Sequence, residues 1–375
     1  MNRWWIKAAA VLMAMFGAAM TALAPKAKVT FPTMASAMAL IEAESGKVLY
    51  SQAADMPLPM ASTTKIMTAL VVLENCDMDE EVKIPAEAVG TEGSSIYLKE
   101  GESMSVKDLL YGLMLSSGND AAVALAVHTA GSVEAFVGMM NGRALAMGLE
   151  KTRFVTPNGL HSDGHCTTAL ELCMTAREAL ANEHFREIVS TKYYRTETGS
   201  VPRTFKNKNS LLWNYDGAFG VKTGYTMAAG RCLVFGAERD GMTVIGAVLN
   251  CRPMFETAAK LMDLAFENYV KETVVREGDP IGTAIIENGE DALLEVAAKD
   301  SIIDVLENAE KRTYTIETEL YEGLRAPIRA GDEIGSLTVK CGEETVGATK
   351  LVAVNSIAER GFDHWWRLLI SAFAA

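Results

Sequence analysis

Apolar and polar positions alternate in the first part of the chain as they do in a β-hairpin. Short apolar runs at Met38–Ile41 and Lys47–Tyr50 flank the turn residues Glu44-Ser45-Gly46, which predicts two paired strands. Helical spacing follows in several longer segments, where apolar residues recur every three or four positions. The predicted helices are Ser62–Glu74, Asp120–His128, Val133–Met147 and Thr168–Asn182.

A second strand-rich segment begins near residue 217. Short apolar runs separated by turns such as Arg239-Asp240-Gly241 predict an antiparallel meander, which a helix then closes. The three strands are predicted at Gly217–Thr223, Arg231–Glu238 and Thr243–Asn250, and the helix at Met254–Tyr269. Strands at both ends with helices between them predict a mixed α+β domain over residues 35–270.

The pattern changes again after Val270. Short β-branched runs alternate with turns such as Gly278-Asp279-Pro280 and Asn288-Gly289-Glu290, which predicts a small all-β domain over residues 272–355. This segment has no cluster of His, Cys or Ser that suggests chemistry, so we expect it to act as a spacer or as a partner-binding module.

The N-terminus has the pattern of a secretory signal peptide. Arg3 and Lys7 precede an apolar run that ends at Ala22-Leu23-Ala24, a small-x-small cleavage pattern. We therefore predict a signal peptide over residues 1–24 and an exported protein. Pro25 disfavours cleavage directly after Ala24, so cleavage near Ala35-Ser36-Ala37 and an uncleaved anchor are the alternatives.

The last 19 residues, 357–375, predict an amphipathic helix. Its apolar positions are Phe362, Trp365, Trp366, Leu369, Ile370 and Phe373, and its polar positions are Asp363, Arg367 and Ser371. Paired tryptophans on one face favour a membrane interface, and the alternative is a helix that packs on its own domain. We expect this helix to hold the protein on the outer face of the cytoplasmic membrane.

Composition excludes several classes of function. The chain has 375 residues, 49% of them hydrophobic, and a net charge of −13, which argue against disorder and against nucleic acid as a partner. Six cysteines without a Cys-x-x-Cys pair do not form a zinc ribbon. The stretch from His161 to Cys166 is rich in turn formers and favours a loop, and His128 has no visible partner. We therefore expect neither a cofactor nor a metal.

Candidate chemistry begins at Ser62-Thr63-Thr64-Lys65. Residues i and i+3 share a helix face, so Lys65 can serve as the base that a weak serine nucleophile needs. Burial and nearby cations would lower the lysine pKa toward neutrality. Taken alone, this motif is more typical of a capping serine followed by an exposed lysine than of a catalytic pair.

Two further motifs change that balance. Ser117-Gly118-Asn119 precedes a predicted helix, and Lys222-Thr223-Gly224 ends a predicted strand, where the glycine permits a ligand to approach the backbone. Serine–lysine, then Ser-x-Asn, then Lys-Thr-Gly is the ordered set of penicillin-binding proteins and β-lactamases.

The surrounding residues carry a closer resemblance. The stretches Ala61–Leu70, Leu115–Ala126, Thr156–Leu160 and Val221–Thr226 resemble the D-alanyl-D-alanine carboxypeptidases, the low-molecular-mass penicillin-binding proteins. The resemblance implies a serine β-lactamase/transpeptidase-like fold, an antiparallel sheet flanked by helices with a helical subdomain. It also implies removal of the terminal D-alanine from peptidoglycan pentapeptide stems, with β-lactam antibiotics as covalent inhibitors.

The resemblance also implies residue roles. Ser62 would be acylated, Lys65 would be its general base, and Ser117 would relay a proton to the leaving group. Asn119 would hold the substrate amide, Lys222 and Thr223 would bind the terminal carboxylate, and the N–H groups of Ser62 and of Tyr225, after Gly224, would form the oxyanion hole. Tyr225 departs from the family's familiar histidine, which a backbone donor tolerates. Arg252 is the candidate for an additional carboxylate-binding arginine.

Three alternatives stay open at the level of sequence. A rapid β-lactamase needs a deacylating Glu in a Glu-x-x-Leu-Asn context, and Glu171 lacks the asparagine. A D,D-endopeptidase would use the same residues in a pocket of different shape. A non-catalytic penicillin-binding sensor would have lost at least one motif residue, and all are present.

Overall fold

The computed structural model describes residues 34–308 and 310–361, together with 366 and 370. The predicted signal peptide lies outside these residues, and so does most of the predicted C-terminal helix. No single helix in the described part of the chain is long and apolar enough to cross a membrane. Among the described residues, the helices Asn119–Ala130 and Val133–Ala146, bent by 84° relative to each other, pass the same test of length and composition when they are taken together.

The first part of the fold, up to residue 268, contains short and long strands with helices between them. The strands are β1 Ala37–Glu42, β2 Val48–Gln52, β3 Glu81–Lys83, β4 Ser103–Ser105, β5 Tyr193–Arg195, β6 Thr204–Lys206, β7 Ala218–Thr226, β8 Gly230–Arg239 and β9 Met242–Leu249. The helices are α1 Lys65–Asn75, α2 Val106–Leu115, α3 Asn119–Ala130, α4 Val133–Ala146, α5 Ala169–Leu180, α6 Glu183–Ser190, α7 Leu211–Asn214 and α8 Met254–Asn268.

A five-stranded antiparallel sheet forms the centre, in the order β2-β1-β9-β8-β7. The predicted hairpin and the predicted meander are both confirmed, and β9 joins them by pairing with β1. Strand β7 continues to Thr226, so Lys222-Thr223-Gly224 lies within a strand and the predicted strand end at residue 223 is wrong.

Alternation along the strands explains why the sheet has a core on each face. In β1, Ala37, Ala39 and Ile41 pack with α1 and α5, whereas Met38 and Leu40 pack with α8 on the opposite face. Successive side chains of a strand point to opposite faces, so a strand buried on both faces is apolar at every position. The central sheet is therefore covered by helices on both sides.

Local capping signals explain where several helices begin and end. The side chains of Ser105, Ser132, Thr168 and Asn182 accept the first unpaired N–H groups of α2, α4, α5 and α6. Gly131 ends α3 at a φ of +80°, the left-handed conformation that glycine adopts without penalty. The structure shows α2 and α6 where the sequence analysis predicted no helix.

The trailing segment is all β. Its strands are β10 Tyr269–Val275, β11 Pro280–Ile285, β12 Leu293–Ala298, β13 Ile302–Glu307, β14 Thr315–Leu320, β15 Glu333–Cys341 and β16 Glu344–Ala353. They form one sheet in the order β11-β12-β16-β15-β14 and a separate β10-β13 ladder. The predicted fold class, an α+β catalytic part followed by a small all-β domain, is confirmed.

Candidate active site

The candidate nucleophile lies in a tight turn before α1. Ser62 is half-buried within a 3₁₀ turn that spans Ala61–Thr64, and the α-helix begins only at Lys65. The prediction of a regular α-helix from Ser62 is therefore wrong by three residues. Hydroxyls inside the turn hold its shape, because Thr63 Oγ1 donates to the carbonyl of Met60 at 2.6 Å and Thr64 Oγ1 donates to that of Ala61 at 2.8 Å.

Lys65 lies directly beneath the serine and is fully buried. Its Nζ is 3.1 Å from Ser62 Oγ, 2.7 Å from Asn119 Oδ1 and 2.5 Å from the carbonyl oxygen of Asn158. Two of these three partners can only accept a hydrogen bond, whereas the serine hydroxyl can also donate. A neutral amine that donates to the two acceptors therefore keeps its lone pair for the hydroxyl.

The surroundings favour the neutral amine. Burial lowers the pKa of Lys65 well below its usual value, and the positive charges of Lys222 and Lys208 lower it further, against a smaller opposing effect of Asp120. Desolvation and like charges both disfavour the protonated form. The sequence-based expectation of a depressed lysine pKa thus has a physical cause in this fold.

Asn119 is held in one orientation at the start of α3. Its Nδ2 donates to the carbonyl of Glu92 at 2.5 Å, so its Oδ1 must face Lys65. Ser117 precedes it at a φ of +63° and is nearly fully buried. This left-handed residue turns the chain from α2 into α3 and brings the Ser-x-Asn motif to the lysine.

Asp120 fixes the loop that packs over this helix start. Its buried carboxylate accepts hydrogen bonds from Ser95 Oγ and from the N–H groups of Ile96 and Leu98. The N–H of Asn119 also donates to the carbonyl of Ser94 at 2.7 Å. The sequence analysis did not single out Asp120, although it directly follows the second motif.

A second loop closes the site from the other side. The carbonyls of Pro157 and Asn158 accept from Thr68 Oγ1 and from Lys65 Nζ, each at 2.5 Å. His165 ties the end of this loop to the nucleophile turn, with Nε2 2.8 Å from Thr64 Oγ1 and Nδ1 accepting from the N–H of Val155 at 2.9 Å. Because Nδ1 accepts, the ring is neutral here, and burial lowers the pKa of His165 to about 4.

Strand β7 forms the third wall. A Cβ placed on Gly224 would lie 3.1 Å from the backbone nitrogen of Ser62, so this glycine permits the strand to pass close to the nucleophile. Lys222 is almost completely buried, and Thr223 is half-buried. The side chain of Tyr225 is 51% exposed and stacks under the Arg231 guanidinium.

Lys222 and Lys208 bring positive charge to the site around Lys65. Burial, followed by the charge of Lys208, lowers the pKa of Lys222 to about 7. Lys208 itself is exposed, and its Nζ lies 3.3 Å from Ser94 Oγ on the loop held by Asp120. The sequence analysis missed Lys208, because a lysine in the polar stretch Asn207–Ser210 carries no local signal of a site.

Arg252 lies at the same end of the sheet as Gly224. The registers of β7, β8 and β9 bring Thr223, Leu233 and Val248 side by side, and Arg252 follows the end of β9. Its side chain is exposed, and its backbone pairs with Met34. The structure thus places this candidate at the end of the sheet that carries the Lys-Thr-Gly motif.

The converging groups suit acyl transfer: a hydroxyl, a buried amine and backbone N–H groups. In the described part of the chain, the His, Cys and carboxylate side chains close enough together to hold a metal are Cys76, Glu80 and His128. They lie at the opposite end of α1 from Ser62.

Comparison with known proteins agrees with this geometry. A family model described as D-alanyl-D-alanine carboxypeptidase matches residues 23–252, and one described as the C-terminal domain of penicillin-binding protein 5 matches residues 269–359. The chain belongs to the D-alanyl-D-alanine carboxypeptidase family. The expected class, a serine-type D-alanyl-D-alanine carboxypeptidase, is confirmed by these matches.

Individual relatives cover most of the chain. It is 32% identical over 338 residues to the D-alanyl-D-alanine carboxypeptidase DacF of Bacillus subtilis, which covers 88% of this chain and 87% of the relative. It is 40% identical over 264 residues to a D-alanyl-D-alanine carboxypeptidase of a Streptomyces species, and this match covers 64% of this chain and 91% of the relative. The structure of penicillin-binding protein 5 from Haemophilus influenzae matches with a TM-score of 0.72 and 27% identity, covering 88% of this chain and all of that one.

Proposed function

We propose that this carboxypeptidase removes the terminal D-alanine from peptidoglycan pentapeptide stems through an acyl-enzyme on Ser62. The observation that carries the proposal is the environment of Lys65. A buried amine with a depressed pKa donates to two groups that only accept, and its lone pair is left for the Ser62 hydroxyl. This is the arrangement that a general base needs.

In the acylation step Ser62 Oγ attacks the carbonyl carbon of the terminal peptide bond, and its proton passes to Lys65 Nζ. The N–H groups of Ser62 and Tyr225 stabilise the oxyanion. The C–N bond then breaks, and the D-alanine amine receives a proton relayed through Ser117. Water hydrolyses the resulting ester, with Lys65 again taking a proton, and the free serine is regenerated.

Positive charge supports recognition of a carboxylate. Lys222 and Thr223 on β7 bind the terminal carboxylate, Lys208 adds positive charge nearby, and Arg252, at the same end of the sheet, is the candidate for a further contact. Asn119 contributes by holding Lys65, and its Nδ2 has a second N–H, beside the one that donates to the Glu92 carbonyl, with which to bind the substrate amide. A stem peptide that ends in an amide should therefore be a poor substrate.

β-Lactams are inhibitors by the same chemistry. Attack of Ser62 on the lactam carbonyl opens the ring and leaves an ester that is slow to hydrolyse. Glu171, the residue considered for a deacylating role, accepts instead from the N–H of Lys151 and the hydroxyl of Thr152. A persistent adduct is therefore expected.

The test is mass analysis of the protein incubated with penicillin and, separately, with pentapeptide. We expect one penicillin adduct that maps to Ser62, release of D-alanine from the pentapeptide, and loss of both in Ser62→Ala. A label on another residue would refute the assignment. An adduct without D-alanine release would identify a penicillin-binding sensor, and cleavage of cross-linked dimers in preference to pentapeptide would identify an endopeptidase.

The expected location follows from the two termini. We propose an exported enzyme held on the outer face of the cytoplasmic membrane by residues 357–375. Fractionation of cells that make the full chain or a form truncated after Ala358 tests this. The truncated form should leave the membrane fraction and keep its activity on a small peptide, and equal partitioning of both forms would exclude the helix as the anchor.

A further inference from the structure

A cluster of three different metal-ligating side chains lies away from the active site. Cys76 follows the last residue of α1, Glu80 lies four residues further along, and His128 is in the last turn of α3. Their ligand atoms, Sγ, a carboxylate oxygen and a ring nitrogen, all lie within 4.8 Å of one another. The chain thus brings one sulfur, one oxygen and one nitrogen donor to a single point.

The spacing fits a small divalent cation. His128 Nε2 is 3.0 Å from Glu80 Oε2, and ligands of a tetrahedral zinc ion with bonds of about 2.0–2.3 Å are separated by about 3.3–3.8 Å. A modest side-chain adjustment would therefore bring all three ligand atoms, now within 4.8 Å of one another, to bonding distance of one ion. The side chains of His128 and Glu80 are 23% and 41% exposed, which leaves an open side for a water molecule as fourth ligand.

The backbone and neighbouring groups hold these ligands in place. The N–H of Asp77 donates to Glu80 Oε1 at 2.7 Å, and Thr129 Oγ1 lies 3.3 Å from Cys76 Sγ. The turn from Cys76 to Glu80 is bonded to the start of α2, because the N–H groups of Val106 and Lys107 donate to the carbonyls of Glu80 and Met78, each at 2.9 Å. Such outer contacts orient the ligands of a metal site.

The His128–Glu80 and Cys76–Thr129 contacts are each pairwise, and neither requires the three ligand atoms to converge on one point as they do. We propose that Cys76, Glu80 and His128 form a site for a divalent cation of the zinc type. The donor set is of the borderline-soft kind that zinc and cobalt prefer over magnesium and calcium. Binding converts the thiol to a thiolate and releases its proton to solvent, and the thiolate and carboxylate together neutralise the ion.

The position indicates a structural role. Cys76 lies eleven residues beyond Lys65, which is about 16 Å along a helix axis, so an ion here is remote from the reacting atoms. It would instead tie together the far ends of α1 and α3, the two helices whose first residues are Lys65 and Asn119. Bound metal should therefore raise thermal stability and leave acylation by penicillin unchanged.

The test is titration of reduced, metal-free protein with Co²⁺. We expect a thiolate-to-cobalt charge-transfer band that saturates at one equivalent and is displaced by Zn²⁺. Cys76→Ser should abolish the band and His128→Gln should weaken binding strongly, whereas Thr129→Val should lower affinity by about 10–100-fold, as for other outer partners. Zn²⁺ should raise the melting temperature of the native chain but not of Cys76→Ser.

Two matched controls keep the result specific. Cys341→Ser removes another partly exposed thiol, and His184→Gln removes an exposed histidine on α6. Both variants should bind cobalt as the native chain does. Unchanged penicillin labelling shows that Cys76→Ser is folded. Absence of a charge-transfer band in the native chain, or a band that survives Cys76→Ser, would overturn the proposal.

Discussion

Gly159 offers a sharp test of how closely the active-site loop is packed against the nucleophile turn. It has a φ of +84°, and a Cβ at this position would lie 2.0 Å from the carbonyl oxygen of Ala61 and 2.5 Å from its carbon. Ala61 directly precedes Ser62. The substitution Gly159→Ala therefore inserts a methyl group where the backbone of the nucleophile turn already is.

The size of the effect follows from these distances. Ordinary contacts begin near 3.4 Å, so the loop and the turn must separate by more than 1 Å. The loop and the nucleophile turn resist this separation, because Thr68 and Lys65 donate hydrogen bonds to the loop carbonyls and His165 is hydrogen-bonded to Thr64. A misplacement of about 1 Å in an active site costs roughly 100-fold in rate. The left-handed backbone adds about 1–2 kcal/mol of destabilisation.

The matched control is Gly148→Ala. Gly148 has a similar φ of +72°, but a Cβ there meets nothing within 4 Å. Both variants carry the backbone penalty, and only Gly159→Ala carries the clash. The assay is the second-order rate of acylation by a fluorescent penicillin, measured beside the free energy of unfolding in denaturant.

We expect Gly148→Ala to acylate at the native rate with unfolding free energy lowered by about 1–2 kcal/mol. Gly159→Ala should acylate about 100-fold or more slowly while still folded. Native-rate acylation by Gly159→Ala would refute the close packing of this loop on Ser62. Equal losses in both variants would mean that backbone strain alone is responsible.

Four further predictions concern the ionisable groups. Lys65→Ala should reduce the acylation rate by about 10²–10⁴-fold with little change in substrate affinity. Lys222→Ala should also raise KM, because this lysine binds the substrate carboxylate. Steady-state kinetics on pentapeptide measures kcat and KM separately and so distinguishes the two effects. The pH profile of kcat/KM should fall at low pH as Lys65 becomes protonated and at high pH as Lys222, with a pKa of about 7, loses its charge. Lys208→Met removes a positive charge that lowers the pKa of both Lys65 and Lys222. Both limbs of the pH profile should therefore move to higher pH, by less than about one unit because exposed charges are screened. An unchanged pH profile would show that Lys208 does not affect these two lysines. The pKa of His165 is about 4 in the folded state against an ordinary 6.5. The folded protein therefore has its full unfolding free energy above pH 6.5, and the part that depends on neutral His165 is lost as the pH falls towards 4. Denaturant unfolding across that range should show native stability falling by up to about 3 kcal/mol more than that of His165→Asn, which cannot titrate.

Much of the fold follows from local patterns in the sequence. The hairpin of β1 and β2, the meander of β7 to β9 and the closing helix α8 lie within a few residues of their predicted bounds. Alternation, helical spacing and turn residues are properties of neighbouring positions in the chain, so they predict secondary structure without knowledge of tertiary contacts. The same holds for the three motifs, whose order along the chain was sufficient to indicate the chemistry.

The local geometry of those motifs depended on tertiary structure. Ser62 lies in a 3₁₀ turn, and strand β7 continues beyond the predicted end at Thr223 to Thr226. The two segments meet where Gly224 passes close to the nitrogen of Ser62, a contact that no local pattern encodes. The helices α2 and α6 were not predicted, although their apolar residues recur at helical spacing and Ser105 and Asn182 cap their first turns.

The remainder of the site arises only when distant segments meet. The carbonyl of Asn158 that accepts from Lys65 is 93 residues away in the chain, and His165 lies 101 residues beyond Thr64. Lys208 influences both motif lysines from another loop, and His128 gains Glu80 as a partner across 48 residues. Backbone carbonyls and single polar residues have no periodicity, so their roles were decided by the folded structure, which alone sets distance, burial and local charge.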